Sequence, residues 1–333
     1  MPAAARPPHE SIFLAAGPEP GGIVVTSRPP PIRGSIMPSI SPDQLIQRIS
    51  DAGILDARQI EALWADLGTR EVSLDAVMGL LLRKELLTNY QLERLLKGEK
   101  GGYFYGQYKV LYLVGTGTFA RVYRAVHGGS GRIVCVKALR KRFRDDKAMC
   151  DQFLREGKIG VQLRHPCIVP IYEVLEQPSP SLVMEFVEGS NLREFQKMRK
   201  KLMPLESMRL TVDILAGLVY AFQQGMTHRD LKMSNVLVTS RGRAKLVDFG
   251  LAGLQGNNPS GSEETNPRTI DYAALERASN TKNNDPRSDC FFVGVMLYNM
   301  LAGTSPIGDH KDRISRLSSG RFANIKPIQV LEP

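Results

Sequence analysis

"MTHRDLKMSN", residues 226–235, places an imidazole, a guanidinium, a carboxylate, an ammonium and a carboxamide within one short run. This mixture follows neither helical nor strand periodicity, which indicates a loop that serves chemistry. The run has a carboxylate at Asp230, a cation two positions later at Lys232 and an amide five positions later at Asn235. That spacing suggests phosphoryl transfer, whose loosely bonded transition state requires positioning and charge.

The composition of the 333-residue chain is that of an ordinary globular protein, with 42% hydrophobic and 23% charged residues. This length predicts about two domains. The four cysteines are scattered without a CxxC pair, which fits single thiols in a reducing cytoplasm better than a disulfide scaffold or zinc site. No apolar run approaches the roughly 20 residues of a membrane helix, and the N-terminus shows no signal-peptide pattern. We therefore expect a cytoplasmic protein, without a membrane segment in this chain.

The net charge of +10 is concentrated in residues 137–147 and 193–201. Neither run contains interleaved aromatic residues or the spacing of a helix-turn-helix or zinc finger, so the sequence predicts no nucleic-acid partner. A solvated face explains both runs most simply, and an acidic substrate or partner is the alternative.

The N-terminal third divides into a tail, a helical region and a linker. Residues 1–40 are rich in Pro, Gly and Ala, which predicts a disordered tail. The segment RPPPIR within it also resembles a polyproline ligand. Residues 41–98 predict a small bundle of four amphipathic helices, and residues 99–107 predict a linker.

Capping signals define the four helices of this bundle. The predicted caps are Ser41 followed by Pro42, Asp56 with Gln59, Ser73, and Thr88 with Gln91, and Gly68 ends the second helix. The bundle contains no cluster of titratable groups that suggests catalysis. We therefore expect an interaction or scaffolding role, with a regulatory partner as its ligand.

Residues 108–333 predict a second domain of α+β class. Segments from residue 108 alternate or run apolar and are separated by glycine-containing turns, which predicts strands. After residue 213 the apolar period becomes helical. A strand-rich part followed by a helix-rich part predicts a two-lobed architecture.

Three further segments carry chemical groups in this second domain. The segment VGTGTFARVY, residues 114–123, lies between predicted strands. Its glycines allow backbone N–H groups to close over phosphates, although a plain hairpin turn also explains a GxG pattern. Lys137 lies on an apolar strand, where its ammonium requires an anion, and Glu156 on the following helix is a fitting partner. Asp248 follows in KLVDFG.

In order and spacing, these segments resemble the signature set of the eukaryotic-type protein kinase family. The resemblance covers about residues 108–325. It is specific, since a chance match to the five residues HRDLK is on the order of one in ten thousand. It implies the two-lobed kinase fold, ATP and Mg²⁺ as cofactors, and a protein substrate. The N-terminal helical region is similar to that of planctomycete-type bacterial serine/threonine kinases.

The resemblance also assigns roles to individual residues. Asp230 accepts or orients the proton of the attacking hydroxyl, and Lys232 stabilises the transferred phosphate. Asn235 and Asp248 hold the metal. The implied nucleotide-binding residues are Val114, Gly115, Thr116, Gly117, Thr118, Phe119, Ala120, Val122, Cys135, Lys137, Glu156, Met184, Glu185, Val187 and Leu237.

Within that set the implied roles differ. Lys137 holds the α- and β-phosphates and is oriented by Glu156. Met184 is the gatekeeper, and Glu185 and Val187 present backbone groups of the hinge to the adenine. The roof of the adenine pocket is formed by Val114 and Val122, and its floor by Leu237.

The acceptor and the activation loop follow from the same resemblance. Lys232 and Thr269 occupy positions typical of the serine/threonine branch, so a Ser or Thr hydroxyl is the expected acceptor. Residues 248–276 correspond to the activation loop. Its candidate phosphorylation sites are Ser260, Ser262 and Thr265, with Arg229 as the receiving cation and Glu263 and Glu264 as hypothetical substitutes for phosphate.

Several positions depart from the family pattern. Ala120 replaces the third glycine and Cys135 replaces the usual alanine, and both are small enough for nucleotide binding to persist. ALE at residues 274–276 replaces APE but retains Glu276. Gly160 replaces a bulky apolar residue in an internal stack that would also contain His228, Phe249 and Ile171. We expect a gap there, a loosened Glu156 helix, low basal activity, and a gain of activity on Gly160→Leu.

The chain stops before the last two helices of the kinase domain, which favours a fragment over a clipped kinase with exposed apolar surface. An active serine/threonine kinase in bacterial signalling is the predicted function, because Lys137, Asp230 and Asp248 are all retained. The alternatives are a pseudokinase that binds nucleotide without efficient transfer, and an adaptor that works through residues 41–98.

Overall fold

The computed structural model describes residues 40–177, 179–249, 275, 285–307 and 325–331. The predicted tail, except Ile40, lies outside these residues. The expectations for Ser260, Ser262, Glu263, Glu264, Thr265, Thr269 and Glu276 lie outside them as well.

Four short helices precede the two-lobed domain, and their ends follow the predicted capping signals. They are α1 (Pro42–Asp51), α2 (Ala57–Leu67), α3 (Leu74–Arg83) and α4 (Asn89–Leu96). The side chains of Ser41, Asp56, Ser73 and Thr88 accept hydrogen bonds from the first helical turns, and Gly68 ends α2 with φ 70°. The apolar faces form one core, which Tyr103 of the predicted linker also joins.

The upper lobe is a six-stranded antiparallel sheet with the order β1-β2-β3-β4-β6-β5. Its strands are β1 (Phe104–Tyr105), β2 (Tyr108–Thr116), β3 (Ala120–His127), β4 (Ile133–Leu139), β5 (Ile171–Leu175) and β6 (Ser181–Glu185). Between β4 and β5 the chain forms α5 (Lys147–Gly160). The strands thus place the glycine-containing turn and Lys137 in adjacent hairpins of one sheet.

The helical bundle and α5 pack on opposite faces of this sheet. Side chains alternate between faces along a strand, and Val136 belongs to the cluster that Tyr90 of α4 contacts, whereas Cys135 belongs to the cluster that contains Phe153 of α5. The α4 helix is also fixed to β2, since Gln91 Nε2 donates to the Val110 carbonyl at 2.6 Å. Any support that the bundle gives to α5 therefore acts through the sheet.

A glycine sets the close approach of α5 to the sheet. A Cβ atom at Gly157 would overlap Leu182 Cδ2 and would lie 3.2 Å from Val174 Cγ2. Leu182 is 3% exposed, so little free space surrounds it. Gly157 therefore determines how near the helix that carries Glu156 lies to the sheet.

The lower lobe combines helices with a small three-stranded sheet. Its elements are α6 (Leu192–Arg199), α7 (Pro204–Gln223), α8 (Pro286–Ala302) and α9 (Ile328–Leu331), with β7 (Gly189–Asn191), β8 (Val236–Thr239) and β9 (Ala244–Leu246). The α7 and α8 helices and the small sheet share one apolar core. The HRD loop lies between α7 and β8, so this core supports it directly.

The α7 helix also carries apolar side chains that are exposed among the described residues. They recur at helical spacing and are Leu205, Met208, Val212, Leu215, Val219 and Phe222. The four cysteines are free. None of the helices in the described part of the chain combines the length and apolar character needed to cross a membrane.

Candidate active site

The predicted catalytic loop brings Asp230, Lys232 and Asn235 together. Lys232 Nζ lies 2.8 Å from Asp230 Oδ2, and Asn235 Nδ2 donates to the same oxygen at 3.0 Å and to the Asp230 carbonyl at 2.9 Å. The other carboxylate oxygen, Asp230 Oδ1, is buried and has no hydrogen-bond partner among the described residues. One oxygen is thus held in place while the other is available as an acceptor.

Two buried side chains hold this loop in position. His228 is fully buried; its Nδ1 accepts from the Asp230 N–H at 3.4 Å, so Nε2 carries the proton and donates to the Val247 carbonyl at 3.0 Å. Asp289 at the start of α8 accepts from the N–H groups of His228 and Arg229 at 2.8 and 3.1 Å. The loop is therefore attached both to the DFG strand and to the central helix of the lower lobe.

Backbone strain occurs on both sides of the site. Arg229 has φ 61° and Asp248 has φ 66°, a left-handed conformation that non-glycine residues rarely adopt. Each such residue costs roughly 1–3 kcal/mol and persists only where the surroundings impose it. For Arg229, the two hydrogen bonds to Asp289 provide part of that constraint.

Lys137 forms an ion pair with Asp248 rather than with Glu156, the partner expected from the sequence. Lys137 Nζ lies 2.6 Å from Asp248 Oδ1, and the side chains are 11% and 30% exposed. Glu156 Oε1 instead accepts from Gln152 Nε2, one helical turn earlier, at 3.2 Å. A strand lysine pairs with whichever carboxylate the tertiary arrangement brings closest, and in this structure that is Asp248. The pairing of Lys137 with Glu156 stays a prediction.

Asp248 is the carboxylate whose ionisation this pair controls. Burial alone raises its pKa, but the charge and hydrogen bond of Lys137, with the charge of Lys232, outweigh burial and lower the pKa below its ordinary value. Asp248 is therefore ionised at neutral pH. Together with the Oδ1 oxygen of Asn235, it offers the hard oxygen donors that Mg²⁺ prefers.

The expected adenine pocket is an apolar layer between the lobes. One buried cluster contains Val114, Ala120, Val122, Cys135, Met184 and Val187, with Phe119 and Leu237 packed against it. Cys135 lies opposite Met184 across β4 and β6, and burial raises the pKa of its thiol to about 12, so the thiol is neutral. The assignment of these residues to an adenine pocket stays a prediction.

The glycine-containing turn joins β2 to β3 at the edge of this layer. Gly115 pairs with Val122, and the Gly117 N–H donates to the Ala120 carbonyl at 2.8 Å. Thr116 and Thr118 flank Gly117 in this turn. At the opposite edge, the Glu185 N–H donates to the Pro170 carbonyl at 3.1 Å. The Glu185 N–H is therefore not the hinge group that would meet a nucleotide.

The expected gap at Gly160 is present but small. A cavity of about 30 Å³ lies between α5 and the DFG segment, lined by residues that include Gly160, Ile171 and Phe249. Ile171 occupies much of the space, since its Cδ1 would lie 2.7 Å from a Cβ atom at Gly160. The remaining volume is about that of one water molecule.

Two arginines near the site were not found by motif reading. Arg140 donates to the carbonyls of Gly117 and Thr118 at 3.2 and 3.3 Å, and Arg142 donates to Thr118 at 3.1 Å. Their position shortly after the strand of Lys137 was the available signal, but the sequence predicted a solvated basic run or a site for an acidic partner, not a contact with the glycine-containing turn. These contacts restrain the glycine-containing turn from its outer side.

The fold and the site are those of a two-lobed protein kinase domain, with the HRD loop below the sheet and Asp248 paired with the strand lysine Lys137. Comparison with known families agrees, because residues 108–329 match the protein kinase domain. The chain therefore belongs to the protein kinase family. Kinase domains in general use ATP and a divalent metal ion.

Curated relatives come from bacteria and animals. The probable serine/threonine-protein kinase SCO3848 of Streptomyces coelicolor is 35% identical over 212 residues, covering 61% of this chain and 31% of that protein. The probable serine/threonine-protein kinase PknB of Lactococcus lactis is 33% identical, covering 62% and 33%. Human NUAK family SNF1-like kinase 1 is 32% identical, covering 65% and 33%. The chain thus spans about a third of the length of these relatives.

Proposed function

We propose that this chain transfers the γ-phosphate of ATP to Ser or Thr hydroxyls of protein substrates, in bacterial signalling. The observation that carries the proposal is the free, buried Oδ1 of Asp230 beside an Oδ2 fixed by Lys232 and Asn235. Such a carboxylate accepts a proton from a hydroxyl in one defined direction. Bacterial relatives named serine/threonine kinases support the setting.

The residues present fit the cofactors that a kinase requires. Asn235 Nδ2 donates to both the backbone carbonyl and Oδ2 of Asp230, which leaves the Oδ1 oxygen of Asn235 as an acceptor, and Asp248 is ionised. We propose that these two oxygens hold Mg²⁺ and that the apolar layer of Cys135, Met184 and Leu237 holds the adenine. When bound, ATP supplies the phosphoryl group and the metal ion neutralises its charge.

Within this proposal each charged side chain has a separate task. Asp230 Oδ1 would take the proton of the acceptor hydroxyl as its oxygen bonds to the γ-phosphorus of ATP, while the bond to the β-phosphate oxygen breaks and ADP leaves. Lys232 would stabilise the charge on the phosphoryl oxygens. Lys137 leaves Asp248 for the α- and β-phosphates, with Glu156 as its new carboxylate partner. The free cysteines support a reducing, cytoplasmic setting.

A nucleotide-binding scaffold is the second candidate. The Lys137–Asp248 ion pair, at 2.6 Å, favours it because the groups proposed for phosphate and metal neutralise each other. In that case the helical bundle of residues 41–98 would recruit the partner, and nucleotide would regulate the complex.

Labelled-ATP transfer and nucleotide binding, measured in parallel, separate the two functions. We expect label on the chain or on a generic basic protein, and loss of label with Asp248→Asn. The exposed Asp75 of α3 provides the matched control, and Asp75→Asn should behave as wild type. Nucleotide binding without transfer by wild type would favour the scaffold, and equal labelling by wild type and Asp248→Asn would refute the kinase proposal.

A further inference from the structure

A second cavity, of about 670 Å³, lies between the helical bundle and the outer edge of the upper lobe. Its walls come from α4, residues 99–105, the ends of β3 and β4, and the segment at residues 140–144. None of the residues assigned to nucleotide, metal or catalysis lines it. Its volume is in the range of small-molecule sites, about 300–1,000 Å³.

The lining of this cavity is strongly cationic. From the upper lobe it contains Arg121, Arg140, Lys141, Arg142 and Arg144, and from the bundle side Arg94 and Lys100. Glu99 is its one carboxylate and is paired with Arg94 at 2.8 Å. Asp145 and Asp146 follow in the chain but do not line the cavity, and Asp146 caps α5.

Several of these cations have N–H groups without an acceptor among the described residues. Arg121 and Lys141 are exposed, and neither side chain has a hydrogen bond or ion pair within the described part of the chain. Arg94 Nε is buried without an acceptor among those residues. Burial and the charges of Arg142 and Arg121 lower the pKa of Arg140, so the cations repel one another and an anion would relieve that repulsion.

Other contacts fix the guanidinium groups in place. Arg144 Nε donates to the Leu139 carbonyl at 2.9 Å, and Arg140 is held by the Gly117 and Thr118 carbonyls. The rings of Tyr105 and Tyr123, 5.5 Å apart, form a firm wall beside them. Preorganised guanidinium groups are the preferred ligands of phosphate because their N–H pairs match its oxygens.

We propose that this cavity binds a small ligand that bears phosphate groups. The ligand and the glycine-containing turn share Arg140 and Arg142, so occupancy of the cavity changes the restraint on that turn. Coupling of this kind is reciprocal, and it gives the helical bundle, which supplies one wall, a part in regulating the domain.

Calorimetry with inorganic pyrophosphate on the full chain, without Mg²⁺, tests the site. The variant Arg121→Gln/Lys141→Gln removes two exposed cations of the cavity, and Arg58→Gln/Arg209→Gln removes two exposed cations elsewhere. We expect the cavity variant to bind pyrophosphate about tenfold or more weakly, because it loses two cations that would attract the phosphate charges. The control pair should bind as wild type, and both variants should keep the wild-type Tm.

Two further experiments identify the site at which the anion binds and whether its phosphate belongs to a lipid or to a free molecule. Lys137→Met should leave pyrophosphate affinity unchanged, since Lys137 lies in the nucleotide cleft. Co-sedimentation with phosphatidylcholine vesicles containing about one fifth phosphatidic acid distinguishes a lipid headgroup from a free phosphate. Binding to vesicles alone, lost in the cavity variant, would assign the phosphate to lipid. Equal binding by the cavity variant, loss with Lys137→Met, or no binding to either probe would overturn the proposal.

Discussion

Two glycines one turn apart on α5 make a matched pair for testing how this helix packs. Gly157→Ala and Gly160→Ala each replace glycine by the best helix former, which gains about 1 kcal/mol at Gly157 in the helix interior and less at Gly160, the last residue of α5. Helix propensity alone therefore favours Gly157→Ala, so a lower stability of that variant reports packing. We expect Gly157→Ala to be the less stable variant.

The expected stability difference between the two variants follows from the atoms that each new methyl group contacts. At Gly157 it overlaps Leu182 Cδ2 and presses on Val174, whose branched side chain is stiff at χ1. At Gly160 it meets only the terminal Cδ1 of Ile171, beside a cavity of about 30 Å³ into which that atom can turn. Overpacking a core costs typically about 1–3 kcal/mol, so we expect a difference of about 1–2 kcal/mol.

Thermal unfolding of the full chain, followed by near-ultraviolet circular dichroism, measures this difference. A domain of this size shifts in Tm by about 2–4 °C for each kcal/mol, so Gly157→Ala should melt several degrees below Gly160→Ala. Equal Tm values, or a lower Tm for Gly160→Ala, would show that α5 is free to move away from the sheet and that Gly157 does not set its position.

Three further predictions follow from the site. Asp289→Asn replaces one acceptor oxygen by an NH2 donor, so one of the His228 and Arg229 N–H groups loses its acceptor. The rate of phosphate transfer and the Tm should therefore both fall, and an unchanged rate would count against the role of Asp289. Gly160→Leu inserts far more than 30 Å³ can accept, so, contrary to the sequence expectation, activity and Tm should both fall, and a gain of activity would restore that expectation. Since Lys137 outweighs burial and lowers the pKa of Asp248, this carboxylate stabilises the fold fully above the ordinary Asp pKa of about 4 and loses that effect as the pH falls through the lowered pKa. The stability difference between wild type and Asp248→Asn, measured by urea unfolding, should therefore shrink below about pH 4, and a difference independent of pH would contradict the pairing.

The features that the sequence predicted well depend on residues that lie close together in the chain. A helix cap depends on residues three apart, so Ser41, Asp56, Ser73 and Thr88 identified the helix starts. The motif spacing identified the kinase domain for the same reason, since HRD and DFG are short segments that keep their internal geometry.

The features that the sequence did not show depend on contacts between residues far apart in the chain. The partner of Lys137 depends on how the lobes meet, and the tight contact at Gly157 depends on Leu182, which lies 25 positions away in the chain. The cationic cavity draws on residues 94–144 and Ser179, which the sequence separates into a helix, a linker, two strands and a basic run. Only the fold brings them to one surface.

We propose that Asp230 accepts the proton of the acceptor hydroxyl through its free oxygen. Steady-state kinetics of phosphate transfer by Asp230→Asn, beside Asp75→Asn as the matched control, would test this role. We expect Asp230→Asn to lower kcat by about a hundredfold or more, the usual contribution of a general base, with the KM for ATP nearly unchanged and the control at wild-type activity. Wild-type kcat in Asp230→Asn would show that Asp230 is not the proton acceptor.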